Sequence, residues 1–253
     1  MEIRQFPCLS DNFGVFIHDP ATGVTAAIDV PEEAAVRQAL AQTGWRLSHV
    51  LVTHSHPDHI QGIPGLMGDL KPIVVAPRKA AAAVPEASVL VSEGDIVSVG
   101  PFRAIVREMP GHCIDHVTYH FADDKVLFAG DVLFALGCGR VFGDAYDAMW
   151  TSLARLAALP EETRVYFGHE YTLANAKFAL AVDPGNAALK AQTAEAEAAR
   201  DAGRATAPTT IGREKAANPF LQATRADMAV ALGLAGASPA AVFRELRERK
   251  NRF

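Results

Sequence analysis

The chain has 253 residues, 49% hydrophobic and 21% charged, the make-up of an ordinary globular protein with room for a large domain and a smaller appendage. Its net charge of -5 excludes the broad basic face that sequence-independent nucleic-acid binding requires. Cys8, Cys113 and Cys138 are too few and too scattered for a disulfide framework, and neither a signal-peptide core nor a membrane-spanning apolar run is seen, so a reducing, cytoplasmic setting is expected.

In chain order, "GVFIHD" and "VTAAID" flank the turn Pro20-Ala21-Thr22-Gly23 and predict a β-hairpin. "PEEAAVRQALAQTGW" predicts a helix, with Pro31 at its start, acids in the first turn, Ala35 and Leu40 in the buried stripe and Gly44 as the stop. Further strands are predicted at "SHVLVT", "PIVVA", "FRAIVREMP", "HVTYHF", "KVLFAG" and "TRVYFG". Strands mixed with helices, several ending in Gly, His or Asp, predict a layered α/β body with its chemistry on the loops after the strands. From about Tyr171 helix formers take over, in "LANAKFALAVD", "NAALKAQTAEAEAARDAG" and "SPAAVFRELRERKNRF", and predict a helical C-terminal domain of roughly eighty residues.

The chemistry is concentrated in "HVLVTHSHPDH". His54 and His56 stand two apart, so on an extended chain both face one ion, and Pro57 breaks the direction so that Asp58 and His59 can turn toward a second. A solvated loop with incidental histidines is the bland alternative; four donors in six residues behind a buried strand make it a poor one. Three more donors follow glycines at strand ends: His112 in "MPGHCIDH", Asp131 in "LFAGDVLF" and His169 in "VYFGHEYT". Five histidines and two aspartates are about the number that two four-coordinate ions need when they share one carboxylate and a water. Imidazole and carboxylate suit zinc, iron or manganese. Cys113 and Cys138 are read as packing residues, and His18, His49, His116 and His120 as structural histidines.

H-x-H-x-D-H followed by these glycine-led donors resembles the metallo-β-lactamase superfamily. Within it, "GDVLFALGCGRVF", "GHEYTLANAKFALAVDPGN" and "TIGREKAANPFL" leading into "LRERKNRF" resemble glyoxalase II, the hydroxyacylglutathione hydrolase family, over nearly the whole chain. The resemblance implies an αββα sandwich with a helical C-terminal domain. It divides the chain into a catalytic domain over residues 1–170 and a substrate-binding domain over 171–253. It implies that His54, His56 and His112 hold one metal, that Asp58, His59 and His169 hold the other, and that Asp131 bridges them. Asp58 and Asp131 thereby count as catalytic. Arg140, Phe142, Tyr171, Arg247 and Lys250 match the positions that meet glutathione. Three departures stand out: Ser55 where the family carries histidine, Gly143-Asp144-Ala145 in place of Glu-Gly-Thr, and Asp115 in place of glycine.

The implied reaction is attack by a metal-bridging hydroxide on the thioester carbonyl of S-D-lactoylglutathione, giving glutathione and D-lactate. The thiolate leaves without help from a strong general acid. Two divalent ions per chain are expected, zinc foremost, with iron or manganese able to serve. The partner is a small-molecule glutathione thioester, without nucleic acid or membrane, and nothing in the sequence demands more than a monomer. The alternatives are a glutathione persulfide dioxygenase with a single iron and a broader metallo-hydrolase of the same fold. The basic pair Arg247 and Lys250, suited to the carboxylates of glutathione, favours the thioesterase.

Overall fold

The computed structural model describes residues 1–253. The chain forms two compact units, Met1–Glu108 with Ile114–Gly130, and Met109–Cys113 with Asp131–Phe253.

The first unit contains β1 (Glu2–Cys8), β2 (Asn12–His18), β3 (Val24–Ile28), α1 (Glu33–Thr43), β4 (Arg46–Leu51), α2 (Pro57–Ile60), α3 (Ile63–Leu66), β5 (Ile73–Pro77), β6 (Val89–Val91), β7 (Ile96–Val99), β8 (Phe102–Glu108), β9 (Val117–Phe121) and β10 (Val126–Phe128). One sheet runs in the order β1-β2-β3-β4-β5-β6. The hairpin strands β1 to β3 pair antiparallel, and from β3 onward the pairs are parallel. Parallel pairs need a crossover, and α1 supplies it between β3 and β4. Helix α1 ends where Gly44 turns left-handed, with φ of 71°, and gives its N–H to the Leu40 carbonyl. Phe16, Val50, Val52 and Val74 from the sheet, Val36 and Leu40 from α1, and Ile63 and Leu66 from α3 share one core. Each such side chain contributes about 1.5–3 kcal/mol by leaving water. The strands of the second sheet in this unit run β10-β9-β8-β7, all antiparallel, and β7 lies against β3.

The second unit contains β11 (Leu133–Phe134), β12 (Gly137–Cys138), α4 (Tyr146–Ala157), β13 (Arg164–Tyr166), α5 (Thr172–Val182), α6 (Ala187–Asp201), β14 (Thr209–Thr210), α7 (Ile211–Ala217), α8 (Ala226–Ala231) and α9 (Pro239–Arg252). β11 and β12 form a tight antiparallel hairpin. Helix α6 opens on Asn186, whose side chain accepts from Leu189 N, and α9 on Ser238, whose hydroxyl accepts from Ala241 N ahead of Pro239. Helix α9 buries Val242, Phe243, Leu246 and Arg247, one stripe at helical spacing, and its Phe243 ring lies 6.0 Å from Trp150 of α4. An apolar residue would be expected where Arg247 sits.

The predicted hairpin, first helix, six further strands and three tail helices are all present in the α/β class expected. The elements not predicted from the sequence are mostly two to four residues long, too short to show a period. Helix α4, at 12 residues, is the longest exception, beside β1 and α7 at 7 residues each and α8 at 6. It has no capping side chain, and its signal is masked by the Gly-Asp-Ala stretch before it.

Candidate active site

In the first unit, β4 delivers the histidine cluster. Beyond Leu51 the chain stays extended, with Val52 N bonded to the Val75 carbonyl, and Pro57 then opens the short α2 as its first residue. The His54 ring centre lies 4.7 Å from that of His56 and 4.1 Å from that of His59. His54 Nε2 and His56 Nδ1 are 3.1 Å apart. Asp58 Oδ2 sits 3.9 Å from His59 Nε2.

His54 and His59 are oriented by a residue the sequence reading missed. Asp29, at the end of β3, is buried and has a left-handed backbone with φ of 55°. Its Oδ1 accepts from Thr53 N at 2.7 Å, and its Oδ2 accepts from the Thr53 hydroxyl at 2.7 Å and from His59 Nδ1 at 2.8 Å. This network assigns the tautomers. The single hydroxyl proton of Thr53 goes to Asp29, so the 3.0 Å contact between Thr53 Oγ1 and His54 Nδ1 has the histidine as donor. His54 and His59 therefore both carry a proton on Nδ1 and turn Nε2 toward their neighbours, His54 Nε2 toward His56 Nδ1 and His59 Nε2 toward Asp58. That is the form in which imidazole binds a metal, with a carboxylate or hydroxyl behind it.

Further supports surround the cluster. Asn12 gives its amide to the Asp58 carbonyl at 3.0 Å and to Asp58 Oδ2 at 3.2 Å. Asp115 Oδ2 accepts from Ser55 N at 3.1 Å, so two of the departures from the family pattern meet each other in one hydrogen bond. His116 is buried and stacks on His54 at 4.7 Å, and a Cβ on Gly130 would come within 2.6 Å of its Nε2. The buried Tyr119 hydroxyl donates to the Val52 carbonyl at 2.8 Å.

In the second unit, His112, Asp131 and His169 are all buried and converge. His112 Nε2 lies 3.5 Å and His169 Nε2 3.3 Å from the same oxygen, Asp131 Oδ2. The Arg140 carbonyl takes a hydrogen bond from His112 Nδ1 at 2.9 Å, so Nε2 of His112 is the nitrogen turned toward the carboxylate. Donors about 2.1 Å from a tetrahedral ion are about 3.4 Å from each other, close to the separations found here. Imidazole and carboxylate donors of this kind, in each unit, suit a divalent metal ion.

Of the remaining predicted residues, Phe142, Tyr171 and the Arg140 carbonyl lie against this second group, while Arg247 and Lys250 sit on α9. Phe142 is 53% exposed, with its ring 5.5 Å from that of His112. The Tyr171 ring stacks on His169 at 4.7 Å, only 4° from parallel. Arg140 is exposed. Arg247 is only 5% exposed, with Nη1 donating to the Cys138 carbonyl at 3.0 Å and Nε to Asn251 Oδ1 at 3.1 Å. Lys250 gives its ammonium to the Ala174 carbonyl at 2.7 Å and lies 5.4 Å from the Phe178 ring centre. Burial, and then the charge of Arg247, bring Lys250 down to about 8. Burial pushes the Cys138 thiol up to about 11 and the Cys8 thiol up to about 12, so neither is a thiolate at neutral pH. No helix is long and apolar enough to cross a membrane.

Residues 14–169 match the family model described as metallo-beta-lactamase superfamily, and residues 170–253 match that described as hydroxyacylglutathione hydrolase C-terminus. A relative named hydroxyacylglutathione hydrolase from Rhodopseudomonas palustris (strain BisA53) is 53% identical over 251 residues, 99% of this chain and 98% of its own length. Another of that name from Methylobacterium sp. (strain 4-46) is 55% identical over 253 residues, 100% of this chain and 99% of its own. Among solved structures, ETHE1 from Myxococcus xanthus superposes with a TM-score of 0.71 at 29% identity, covering 99% of this chain and 92% of that one.

Proposed function

Because the chain belongs to the metallo-β-lactamase superfamily, and within it to the hydroxyacylglutathione hydrolases, we propose that it is a metal-dependent thioester hydrolase that cleaves S-D-lactoylglutathione to glutathione and D-lactate. The observation that carries this reading is a tail matching the hydroxyacylglutathione hydrolase C-terminus behind a complete set of seven donors.

In this reading His54, His56 and His112 would hold one divalent ion and Asp58, His59 and His169 a second, with Asp131 a ligand in common; zinc suits the set best, with iron or manganese as alternatives. Bound there, such ions would supply Lewis acidity and a water-derived nucleophile at neutral pH. The chain's own residues do the rest. Asp29, Thr53 and the Arg140 carbonyl fix ring orientation and proton position on three ligand histidines. Tyr171, stacked on His169, and the exposed Phe142 offer walls for the substrate, with Tyr171 assigned to the glutathione portion. Arg140, Lys250 and the free Nη2 of Arg247 face the glutathione carboxylates. The buried thiols Cys8 and Cys138 have no part as nucleophiles. Residues 1–170 accordingly carry all seven ligands and residues 171–253 three of the five substrate contacts. The competing single-iron persulfide dioxygenase leaves one ligand set without an ion, and nothing on the molecule favours it. The substrate is small, and we place the enzyme in the cytoplasm as a monomer.

The test is thiol release from S-D-lactoylglutathione. Release that disappears on chelation and returns with zinc or iron is expected. Metal-loaded protein that releases no thiol sinks the assignment.

A further inference from the structure

The short β11–β12 hairpin links two parts of the site, with Asp131 two residues before it and Arg140 two residues after it. Two residues per strand give it almost no ladder of its own. Its tip is also strained, because Leu136 is left-handed with φ of 58°, a conformation that a leucine rarely adopts. Something outside the hairpin has to hold it.

The helices that follow provide it. Leu136 is fully buried in a cluster with Ala176 and Ala179 of α5, Leu189 of α6 and Ala217 of α7. The backbone of the hairpin is satisfied by side chains of α5, α7 and α9 and by Asn218, which caps α7. Leu136 N donates to Glu214 Oε2 at 2.8 Å, and Asn218 Nδ2 donates to the Phe134 and Gly137 carbonyls at 3.3 and 2.9 Å. Asn175 Nδ2 donates to the Ala135 carbonyl at 3.1 Å, and Arg247 to that of Cys138 at 3.0 Å. Glu214 and Asn218 have no exposed surface at all. Glu214 accepts four hydrogen bonds, the other three coming from Gln192 at 2.8 Å, Thr209 at 2.7 Å and Asn218 at 2.9 Å. A buried carboxylate without a cationic partner is costly unless its lone pairs are filled, and here all four are.

We propose that Glu214 and Asn218 are positioning residues of the active site, which grip the tip of the β11–β12 hairpin and thereby fix Asp131 on one side of it and Arg140 on the other. The tail thus has a second task beyond meeting the substrate. Arg247 shares that task, since the nitrogen it gives to Cys138 is not available to a carboxylate. The inference rests on the hydrolase reading only for what Asp131 and Arg140 do.

The test uses Glu214→Gln, whose amide turns a donor toward either Leu136 N or Gln192, and Asn175→Ala, which removes one hairpin contact while leaving the buried carboxylate intact. Leu156→Ala, a core truncation in α4, serves as the control for destabilisation alone. Retained zinc per chain, kcat and KM for S-D-lactoylglutathione, and amide exchange across residues 133–138 are measured on folded protein. We expect Glu214→Gln to lose about 10- to 100-fold in metal affinity and in kcat, with faster exchange at Leu136. Asn175→Ala should show the same pattern, weaker, and Leu156→Ala should keep the metal affinity and kcat of the parent. The proposal is overturned if both hairpin variants keep the parent's metal affinity and exchange rates, or if Leu156→Ala loses as much. If the parent protein releases no thiol, the hydrolase reading fails, while metal retention and exchange still decide this one.

Discussion

Asp29→Asn tests whether one unassigned carboxylate holds the ligand histidines in their binding form. The substitution keeps the shape, and asparagine tolerates the left-handed backbone of position 29 at least as well as aspartate, so no new strain is added. What changes is the hydrogen bonding. Asp29 accepts from three donors, at 2.7, 2.7 and 2.8 Å, whereas the amide accepts on one side and donates on the other. If the amide oxygen faces His59 and the Thr53 hydroxyl, the NH2 group meets the Thr53 N–H, donor against donor. If it is reversed, His59 has to move its proton to Nε2 and so loses the lone pair a metal needs. One buried donor left unpaired costs about 1–3 kcal/mol, and turning two charge-assisted bonds into neutral ones costs about 1 kcal/mol each, a total of roughly 3–5 kcal/mol. At about 2–4 °C per kcal/mol for a protein of this size, Tm should fall by roughly 10 °C. Metal affinity should fall by about 10- to 100-fold, the usual consequence of removing a ligand's outer partner. Thermal unfolding of the metal-free protein reads the first effect, and competition against a chromophoric chelator reads the second. An Asp29→Asn protein with Tm within about two degrees of the parent and the same metal affinity refutes the account.

A Cβ on Gly139 would lie 1.9 Å from the Asp131 carbonyl oxygen, so Gly139→Ala should yield protein with normal helical content by circular dichroism but little bound zinc, and full zinc occupancy argues that the backbone there yields freely. Asp115→Ala strips Ser55 N of its acceptor and should cost about 1–3 kcal/mol in urea unfolding, less than Asp29→Asn because the contact is only partly buried. Lys250 stands at about 8, below its ordinary 10.5, through burial, with the charge of Arg247 adding to it; the other groups facing it are Cys138, the Ala174 carbonyl and the Phe178 ring. Its positive charge is present at pH 7 and lost as pH rises through about 8, so binding of S-methylglutathione should weaken from pH 7 to 9. Lys250→Arg, which stays charged, should flatten that profile. A profile as steep in Lys250→Arg as in the parent removes Lys250 from the carboxylate site.

How far the sequence reveals this molecule depends on where each signal lies along the chain. Elements with a long period were legible: α1, with Gly44 as its stop, and the buried strand β4 that ends in the histidine cluster. The two-residue strands β11, β12 and β14 have no period to read; distant side chains satisfy backbone carbonyls of β11 and β12, and β14 is held by pairing with β13. The donors were legible for a related reason. The proposed donors His54, His56, Asp58 and His59 fall within six residues behind a strand, so the crowding is local and visible. Asp115 was noticed as a departure without a consequence, because its partner, Ser55 N, lies 60 residues away and is a backbone group that no residue type announces.

The supports are hidden by the same physics that makes them necessary. A ligand histidine binds a metal only if its second nitrogen is held, and the holder can come from anywhere the fold brings a polar group. For His59, a proposed ligand, it is Asp29, 30 residues back, and for His112, another, it is the carbonyl of Arg140, 28 residues on. Glu214 reaches Leu136 across 78 residues, and Arg247 reaches Cys138 across 109. In a helix read alone, a buried glutamate or arginine looks like one more charge on a solvated face, which is the plain reading of "LRERKNRF". What distinguishes Arg247 is its register: it continues the stripe of Val242, Phe243 and Leu246, so it points where only an apolar or a fully partnered side chain can go. A charged residue on the apolar stripe of an otherwise regular helix therefore marks a backbone group elsewhere that needs a partner, and that signal could have been read from the sequence.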